Sequence, residues 1–389
     1  MAVFETPSQS PAQRARAAHP GSGRVASAPG TWVLIGENVD HFGGVTLAGT
    51  AALRAAAAVS PRPDRVVSVS ARGPLGQEFS AQLPFDEEPG DGLGRRWWGL
   101  VHTLVQRQVL SRDTAGMDIT VESDVPVGAG LGALYAADAA IALALAGAHD
   151  DVDTAPFRAR LAEICSHAMA TYSSLPVLRA RHSVALRGAE GVSVVDYADG
   201  SLTRAPHPSR HGVRVFSVAA SLGAPFAKSR EAIATHRAFI DAACANFGVA
   251  SLRQLPDAPG RVAQWVEARR AAGDDTAPDP DTARRWVTFC ESETLRSLAA
   301  SKALRSRRAN ELFTLLNSAS EAHSLATPDA LVALARERGA VAARPAATGT
   351  SNAVIAFVPV QEADAFASSM AREYEVVEVA AGQPARLEG

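Results

Sequence analysis

Three glycines at alternate positions precede a long apolar segment. Gly128, Gly130 and Gly132 lie in the sequence VPVGAGLGALYAADAAIALALA, residues 125–146. Backbone N–H groups in a glycine loop that opens a helix bind phosphate oxygens without help from side chains. Loops that also hold Mg²⁺ usually place Ser or Thr at the start of the helix, whereas residues 133–135 read Ala-Leu-Tyr. The sequence therefore predicts a phosphate-binding backbone that lacks the metal-binding hydroxyls.

A second group of candidate residues lies upstream, in SAPGTWVLIGENVDHFGGVTLAGT. Glu37 and Asp40 follow an apolar strand and precede Gly43 and Gly44. Ionised carboxylates accept hydrogen bonds strongly from hydroxyl groups, so this pair suits a polyol such as a sugar. The alternative is a turn whose acids cap a following helix. The spacing alone leaves both interpretations open.

Composition limits the classes of protein to which the chain can belong. Its 389 residues are 47% hydrophobic and 20% charged, which is enough for one large or two ordinary domains. The net charge of −3 and the pI of about 6.4 argue against nucleic acid or an anionic membrane as the main partner. The cysteines are far apart and form no C-x-x-C pair, so they predict neither a disulfide framework nor a zinc site.

Nothing in the sequence predicts a targeting or membrane segment. The N-terminal residues lack the apolar core of a signal peptide, and no uninterrupted apolar run reaches the ~18–20 residues that span a bilayer. We therefore expect a cytoplasmic protein whose partners are small molecules.

Short β-type runs alternate with longer helical patterns, which indicates an α/β or α+β fold. Strands are predicted at 32–35, 65–71, 117–123, 192–197, 213–218, 354–358 and 374–379. Helices are predicted at 95–108, 132–146, 155–172, 228–247, 281–305 and 309–324. Loops rich in Pro, Gly, Asp or His are predicted at 86–94, 204–212 and 271–282, and the second of them is the best candidate for a domain boundary.

The two candidate sites together resemble a known family. APGTWVLIGENVDHFGG resembles the galactokinase signature A-P-G-R-x-N-L-I-G-E-H-x-D-Y-x-x-G, and SDVPVGAGLGALYAADAA resembles the second motif S-D-x-P-x-G-A-G-L-S-S-S-A-A. Further segments, including AEICSHAMATYSSLPV, FGVASLRQL, LFTLLNSASEAHS and ERGAVAAR, resemble galactokinase segments in the same order. The chain is therefore similar to the galactokinase branch of the GHMP small-molecule kinases from about Arg24 onward.

This resemblance implies a two-domain α+β fold with the ligand cleft between the domains. A flexible segment is expected at 1–23, a ribosomal-S5-like N-terminal domain at 24–205 and a ferredoxin-like C-terminal domain at 206–389. It also implies ATP-dependent phosphorylation of galactose at its 1-hydroxyl, with Mg²⁺ as cofactor.

Carried over residue by residue, the binding positions are partly kept. The sugar-binding positions of the family correspond to Glu37, Asn38, Asp40 and Gly43, with Asn38 in place of the family's His. The phosphate-binding backbone corresponds to Gly128, Ala129, Gly130, Leu131 and Gly132.

The catalytic positions are replaced. The family's first-motif Arg is Thr31, and the best local match to the D-Q-x-A-S-L pattern, RHSVALRG, places Arg181 at the catalytic Asp. The second-motif serines, one of which helps to hold Mg²⁺, are lost, and the acid nearest to the family's helix glutamate is Asp138, a weak metal candidate. The glycine-rich third motif is reduced to AATGTSN at 346–352.

These replacements favour impaired or lost catalysis. Removing one general base costs roughly 10²–10⁴ in rate, and losing Mg²⁺ removes the main neutraliser of phosphate charge. Arg181 could instead stabilise transition-state charge, as arginine fingers do, and His182 and Asp196 are alternative acid–base groups. Three interpretations stay open. The first is an active sugar kinase with rearranged side chains that uses ATP and Mg²⁺, and the second is an inactive sugar- or nucleotide-binding regulator that acts through a protein partner. The third is a structural relic that binds nothing tightly, and Glu37 and Asp40 favour retained ligand binding over it.

Overall fold

The structure, a computed structural model, describes residues 4–223, 229–318 and 325–389. Its strands, in chain order, are β1 (Arg24–Ile35), β2 (Val45–Arg62), β3 (Val66–Arg72), β4 (Glu78–Pro84), β5 (Gly116–Ser123), β6 (Val192–Asp196), β7 (Leu202–Ala205), β8 (Val213–Ala219), β9 (Ala342–Pro345), β10 (Val354–Pro359), β11 (Glu375–Glu378) and β12 (Arg386–Glu388). Its α-helices are α1 (Pro11–Ala18), α2 (Leu93–Gln106), α3 (Ala133–Ala146), α4 (Ala155–Tyr172), α5 (Arg179–Arg187), α6 (Arg230–Phe247), α7 (Ala258–Ala271), α8 (Pro280–Arg305), α9 (Ala309–Asn317), α10 (Asp329–Glu337) and α11 (Ala363–Met370).

The larger sheet presents the two candidate loops at the ends of its strands. Its strand order is β12-β1-β2-β5-β3-β4, with β6 beside β2 and β7 beside β6. The long strand β2 pairs with β6 through its first residues and with β5 through its last ones. Residues 36–44 connect β1 to β2, and residues 124–132 connect β5 to α3. The sheet thus fixes where both loops begin and end.

An alanine-rich helix packs directly on this sheet. In α3, every residue from Ala136 to Ala146 is buried, and the helix contacts both β1 and β2. Small side chains allow the helix backbone to lie close to the strands, and a helix that is apolar on all sides is typical of a protein core. Asp138 is the one charged residue in this helix.

A second sheet is built from the C-terminal half of the chain. Its order is β11-β8-β10-β9, and all of its pairs are antiparallel. The chain then returns to the first sheet, where β12 pairs antiparallel with β1. Helices α6, α7 and α8 form a separate apolar cluster that includes Val39 and Phe42 of the first loop. The helical layer therefore packs against the loop that carries Glu37 and Asp40.

The N-terminal segment contains a helix that the sequence analysis did not predict. Ser10 and Gln13 form a capping box at the start of α1. The guanidinium of Arg14 donates to Glu122 at 3.1 Å and to Asp124 at 2.8 Å. These contacts hold α1 on β5, next to the start of the glycine loop.

The predicted elements agree with the structure in type. Every predicted strand overlaps an observed strand, and each predicted helix overlaps an observed helix within the described ranges. Residue 228 of the fourth predicted helix and residues 319–324 of the last one lie outside the described residues. None of the helices that the structure describes has the length and apolarity needed to cross a membrane.

We expect acid to destabilise the fold through His207. This side chain is 7% exposed, and burial lowers its pKa to about 4. The unfolded chain, in which His titrates near pH 6.5, then binds more protons between about pH 6.5 and 4, so the free energy of unfolding falls as the pH drops through this range. The contribution of His207 to the free energy of unfolding is therefore present in full above about pH 6.5.

Urea unfolding between pH 7 and pH 4 measures this effect. His207→Gln should reduce the slope of the free energy of unfolding against pH by up to about 1.4 kcal/mol per pH unit. This is the slope expected when the unfolded chain binds one more proton than the folded one. A slope that is unchanged in this variant, or reduced equally by His167→Gln at an exposed position, would contradict the assignment.

Candidate active site

The glycine loop is held by hydrogen bonds to its carbonyl groups. Gly128, Gly130 and Gly132 have positive φ angles of 94°, 68° and 66°, a conformation that glycine adopts without strain. Four successive carbonyls, those of residues 128 to 131, each accept a hydrogen bond from another part of the chain. The donors are, in order, Ser351 Oγ at 3.2 Å, Ser217 Oγ at 2.6 Å, Arg181 Nη2 at 3.0 Å and the Thr31 backbone N–H at 2.8 Å.

The start of α3 follows this loop directly. Gly132 is the N-cap residue, has a left-handed conformation and makes no side-chain cap hydrogen bond. The first turn of α3 carries no acidic residue. The positive end of the helix dipole therefore meets the loop without an intervening carboxylate.

Arg181 connects the three family motifs. It lies on α5 and is 2% exposed. Its guanidinium donates to the carbonyls of Thr31 on β1, Gly130 in the glycine loop and Ala346 in the third loop, the last at 3.3 Å. Within the described ranges, no carboxylate lies within 4.0 Å of this guanidinium. Burial lowers the pKa of Arg181, while the charge of Glu37 acts in the opposite direction.

Glycine at position 132 makes room for this arginine. A Cβ atom at Gly132 would lie 2.8 Å from Arg181 Nη1 and 2.8 Å from Thr31 Oγ1, closer than real Cβ contacts. Likewise, a Cβ atom at Gly130 would lie 2.3 Å from the Cβ of Ala346. The absence of a side chain at position 132 is thus sterically linked to the guanidinium of Arg181.

Asp138 belongs to a buried network behind the loop. Its carboxylate is fully buried and accepts from Arg96 through both oxygens, from Trp97 Nε1 at 3.0 Å and from His182 Nε2 at 3.1 Å. Burial raises the pKa of Asp138, but Arg96 and His182 outweigh it and hold that pKa below its usual range. The sequence analysis did not identify Arg96 as a partner, because the two residues are on different helices.

His182 is engaged at both ring nitrogens. Its Nδ1 lies 3.0 Å from Ser166 Oγ, and burial lowers the pKa of His182 despite the contact with Asp138. In the neutral ring, Nε2–H donates to Asp138 and Nδ1 accepts from Ser166. This arrangement places the ring in the protein interior with no free nitrogen for substrate. The other acid–base alternative, Asp196, is paired with Arg253 at 2.6 Å.

The first loop presents oxygen atoms without protein partners. Glu37 is 8% exposed and accepts from the Thr348 N–H at 2.8 Å through Oε2. Its Oε1 has no hydrogen-bond partner within the described structure, and the same holds for Asn38 Oδ1 and Asp40 Oδ2. Buried acceptors without partners are costly, so a ligand that donates several hydrogen bonds would stabilise this loop.

Two residues that the sequence analysis missed position this loop. Glu293 on α8 is 2% exposed and accepts from the Gly36 N–H at 3.1 Å. Arg237 on α6 lies 3.4 Å from Asp40 Oδ1. Gly43 has a positive φ of 81° and would place a Cβ atom 2.6 Å from Ser251. No local sequence motif indicates these contacts, since each partner comes from a distant helix or turn.

A cavity opens beside the glycine loop. Its volume is about 90 Å³ and one side of it is open to solvent, so it is smaller than a typical small-molecule site. Its walls include the glycine loop, Tyr135, Thr350, Ser351 and the two arginines, Arg96 and Arg181. None of the described residues that line it is acidic.

The residues present do not fit a magnesium ion. Mg²⁺ prefers carboxylate and hydroxyl oxygens, yet the serine positions hold Gly132, Ala133 and Leu134. Asp138 is buried and fully paired. Among the described ranges, no group of three or more His, Cys, Asp or Glu residues is placed to hold a metal. Within the described residues, the start of α3 therefore offers no side-chain oxygen to a magnesium ion.

The chain is similar to known galactokinases in sequence and in fold. The family model of the galactokinase galactose-binding signature matches residues 15–61. A galactokinase of Mycobacterium bovis is 29% identical over 356 residues, which cover 89% of this chain and 92% of that protein. The structure of Lactococcus lactis galactokinase complexed with galactose matches with a TM-score of 0.72 and 16% identity, over 93% of this chain and 94% of that one.

The fold is that of the GHMP small-molecule kinases. Mevalonate kinase from Methanococcus jannaschii shares it with a TM-score of 0.50 and 11% identity, over 95% of this chain and 99% of that one. Within this class, the chain is similar to galactokinases along nearly its whole length.

We expect Gly132 and Arg181 to be energetically coupled. Gly132→Ala introduces a Cβ atom against the guanidinium, and Arg181→Ala removes that guanidinium. Gly132→Ala also causes strain from the positive φ and a contact with Thr31, but both effects are the same whether residue 181 is Arg or Ala. A double-mutant cycle therefore isolates the contact with Arg181. Urea unfolding should give a coupling of about 1–2 kcal/mol, with Gly132→Ala costing less when Arg181 is absent. Additive effects would contradict the contact.

Proposed function

We propose that this chain binds a galactose-like sugar in the cleft between its two sheets and that phosphoryl transfer to the sugar is impaired or lost. The observation that carries the proposal is the guanidinium of Arg181, which is bound to three backbone carbonyls and which the motif match assigns to the family's catalytic aspartate position. The ancestral reaction is ATP-dependent phosphorylation of galactose at the 1-hydroxyl.

The side chain at position 181 cannot act as a general base. A guanidinium donates hydrogen bonds, accepts none and stays protonated at neutral pH. Arg181 is also unable to serve as an arginine finger in its present geometry, because its donors are directed to Thr31, Gly130 and Ala346. Thr31, at the position of the family's arginine, is fully buried and supplies no positive charge.

Sugar binding is supported by the first loop. Glu37, Asn38 and Asp40 each keep an oxygen atom without a protein partner in the described structure. Hydroxyl groups of a sugar are donors of matching chemistry. The galactose in the complex with L. lactis galactokinase gives the class of ligand by analogy.

We further propose a domain boundary between residues 205 and 206. Strand β7 of the first sheet ends at Ala205, and β8 of the second sheet begins at Val213. Residues 24–205 would then carry the first two motifs, and residues 206–389 would carry the third loop. We place the protein in the cytoplasm with small-molecule ligands, and assign it no nucleic-acid or membrane partner.

The second candidate function is regulation. A protein that binds sugar or nucleotide without turnover can act only through a protein partner. The buried and fully paired Asp138 network favours this candidate, because it supports the site's structure while Asp138 itself is unavailable for catalysis. Should activity remain, the protein is an ATP-dependent sugar kinase of galactokinase type.

Sugar binding without turnover is the first expected result. Galactose should raise the melting temperature, while Mg·ATP plus galactose should release ADP far more slowly than about 1 s⁻¹, a typical enzyme rate. Glu37→Gln should weaken galactose binding about tenfold, because a hydrogen bond to a charged acceptor is lost. Glu87→Gln, at an exposed loop position, is the matched control. Rapid ADP release by the native chain would exclude the proposal.

Restoring the family's residues should raise phosphorylation. The triple variant Thr31→Arg, Ala133→Ser and Arg181→Asp returns a cation, a hydroxyl and a base to the cleft. We expect galactose-dependent ADP release above that of Arg181→Ala, which removes the guanidinium but adds no base. A folded triple variant with no gain would mean that catalysis is limited by other parts of the cleft.

A further inference from the structure

The larger sheet ends at a regular strand that has a neighbour on one side only. β4 is the outermost strand of that sheet and lies next to β3. Its seven residues pair with β3 in one unbroken register. It contains no lysine and no bulge, and its single proline is its last residue. Soluble proteins usually place such features on an edge strand, because a regular open edge pairs with another strand.

The even-numbered residues of β4 direct their backbone groups away from β3. Beside the end of this ladder, the N–H of Phe85 donates to the carbonyl of Arg65 at 2.7 Å, so the odd-numbered residues exchange hydrogen bonds with β3. The carbonyl of Pro84 accepts from Trp98 Nε1 at 3.0 Å, which leaves Glu78–Gln82 as the open edge. Within the described structure, no other segment bonds to the backbone groups that point outward there.

The other edges of the two sheets, as far as the structure describes them, are short or are contacted by another segment. β12 has three residues and β7 has four, and Arg305 donates to a carbonyl of β7 at 3.1 Å. In the second sheet, the side chain of Asn317 donates to the carbonyl of Val341, just before β9, at 2.8 Å. The N–H of Phe4 donates to the carbonyl of Val376 on β11 at 2.9 Å. β4 therefore differs from the other edge strands.

A second copy of β4 satisfies the open backbone groups in one register. A two-fold axis at Ser80 places Glu78 opposite Gln82 of the second copy. Each outward-facing residue then meets another outward-facing residue, and every such pair exchanges two hydrogen bonds. An axis at Ala81 is less favourable, because it places Pro84, which has no N–H, opposite Glu78.

The side chains match in the same register. The carboxylate of Glu78 meets the amide of Gln82 from the second copy, which donates hydrogen bonds. On the other face of the sheet, Phe79 lies opposite Ala81, so a large side chain meets a small one. Glu78 is paired with Arg72 of its own chain at 2.9 Å, and the register places no like charges directly opposite each other.

We propose that the chain forms a symmetric dimer through β4, in which the eight-stranded sheets of two copies join into one continuous sheet. The second copy is the occupant of this edge because the strand is complementary to itself in hydrogen-bonding groups and in side chains. A single pair of strands is a small interface, so the dimer dissociates reversibly. This inference does not depend on the proposed sugar binding.

Sedimentation velocity over a range of protein concentrations measures the association directly. Between about 1 and 300 µM, we expect the mean mass to rise from that of the 40.5 kDa monomer toward twice this value, with a Kd on the order of 10 µM. A protein that stays monomeric over this whole range would overturn the inference.

Proline at position 80 tests the proposed surface. The N–H of Ser80 points away from β3, so Ser80→Pro removes an outward donor and places a ring at the two-fold axis without removing a bond to β3. It should weaken the dimer at least about tenfold. Ser80→Ala keeps the N–H and is the matched control, which should dimerise as the native chain does. Equal dimerisation of both variants would assign the association to another surface and refute the proposal.

Charge at positions 78 and 82 tests the register without a proline. Gln82→Glu places two carboxylates opposite each other on both sides of the axis and should weaken the dimer about tenfold. The double variant Glu78→Gln, Gln82→Glu exchanges the two partners and should restore most of the affinity. Unchanged association of Gln82→Glu, or a double variant no tighter than that single variant, would contradict the register.

Discussion

The structure of the cleft depends on one buried guanidinium. Arg181 donates to carbonyls of β1, the glycine loop and the third loop, which are far apart in sequence and meet only around this side chain. Its planar fork of donors can satisfy several backbone acceptors at once. Three segments that are distant in sequence therefore surround one positive charge.

The glycine loop keeps a defined shape through its backbone. The carbonyls of residues 128–131 are all engaged by donors from other parts of the chain. Behind the loop, Asp138 supports the helices through Arg96 and His182. The shape of the loop therefore depends on hydrogen bonds to its carbonyls and on a buried ionic network, and it needs no hydroxyl side chain in the first turn of α3.

The sequence predicts the strands and the glycine loop because these follow from local patterns. Alternation of β-branched residues and the spacing of Gly128, Gly130 and Gly132 depend on neighbouring positions alone. The partners of Arg181 could not be predicted, because a backbone carbonyl has no signature in the sequence. The contact between Glu293 and Gly36 and the docking of α1 likewise depend on tertiary packing between distant segments.

Positions 31, 132 and 181 fit one another sterically and electrostatically. A side chain at position 132 would collide with the guanidinium of Arg181, and glycine avoids that collision. An arginine at position 31 would bring a second cation to the same place, because Arg181 Nη1 lies 3.5 Å from Thr31 Oγ1. A change at any one of these positions therefore alters the space or the charge that the other two meet, so the three residues are understood best as one unit whose buried guanidinium is satisfied by carbonyls on three separate segments.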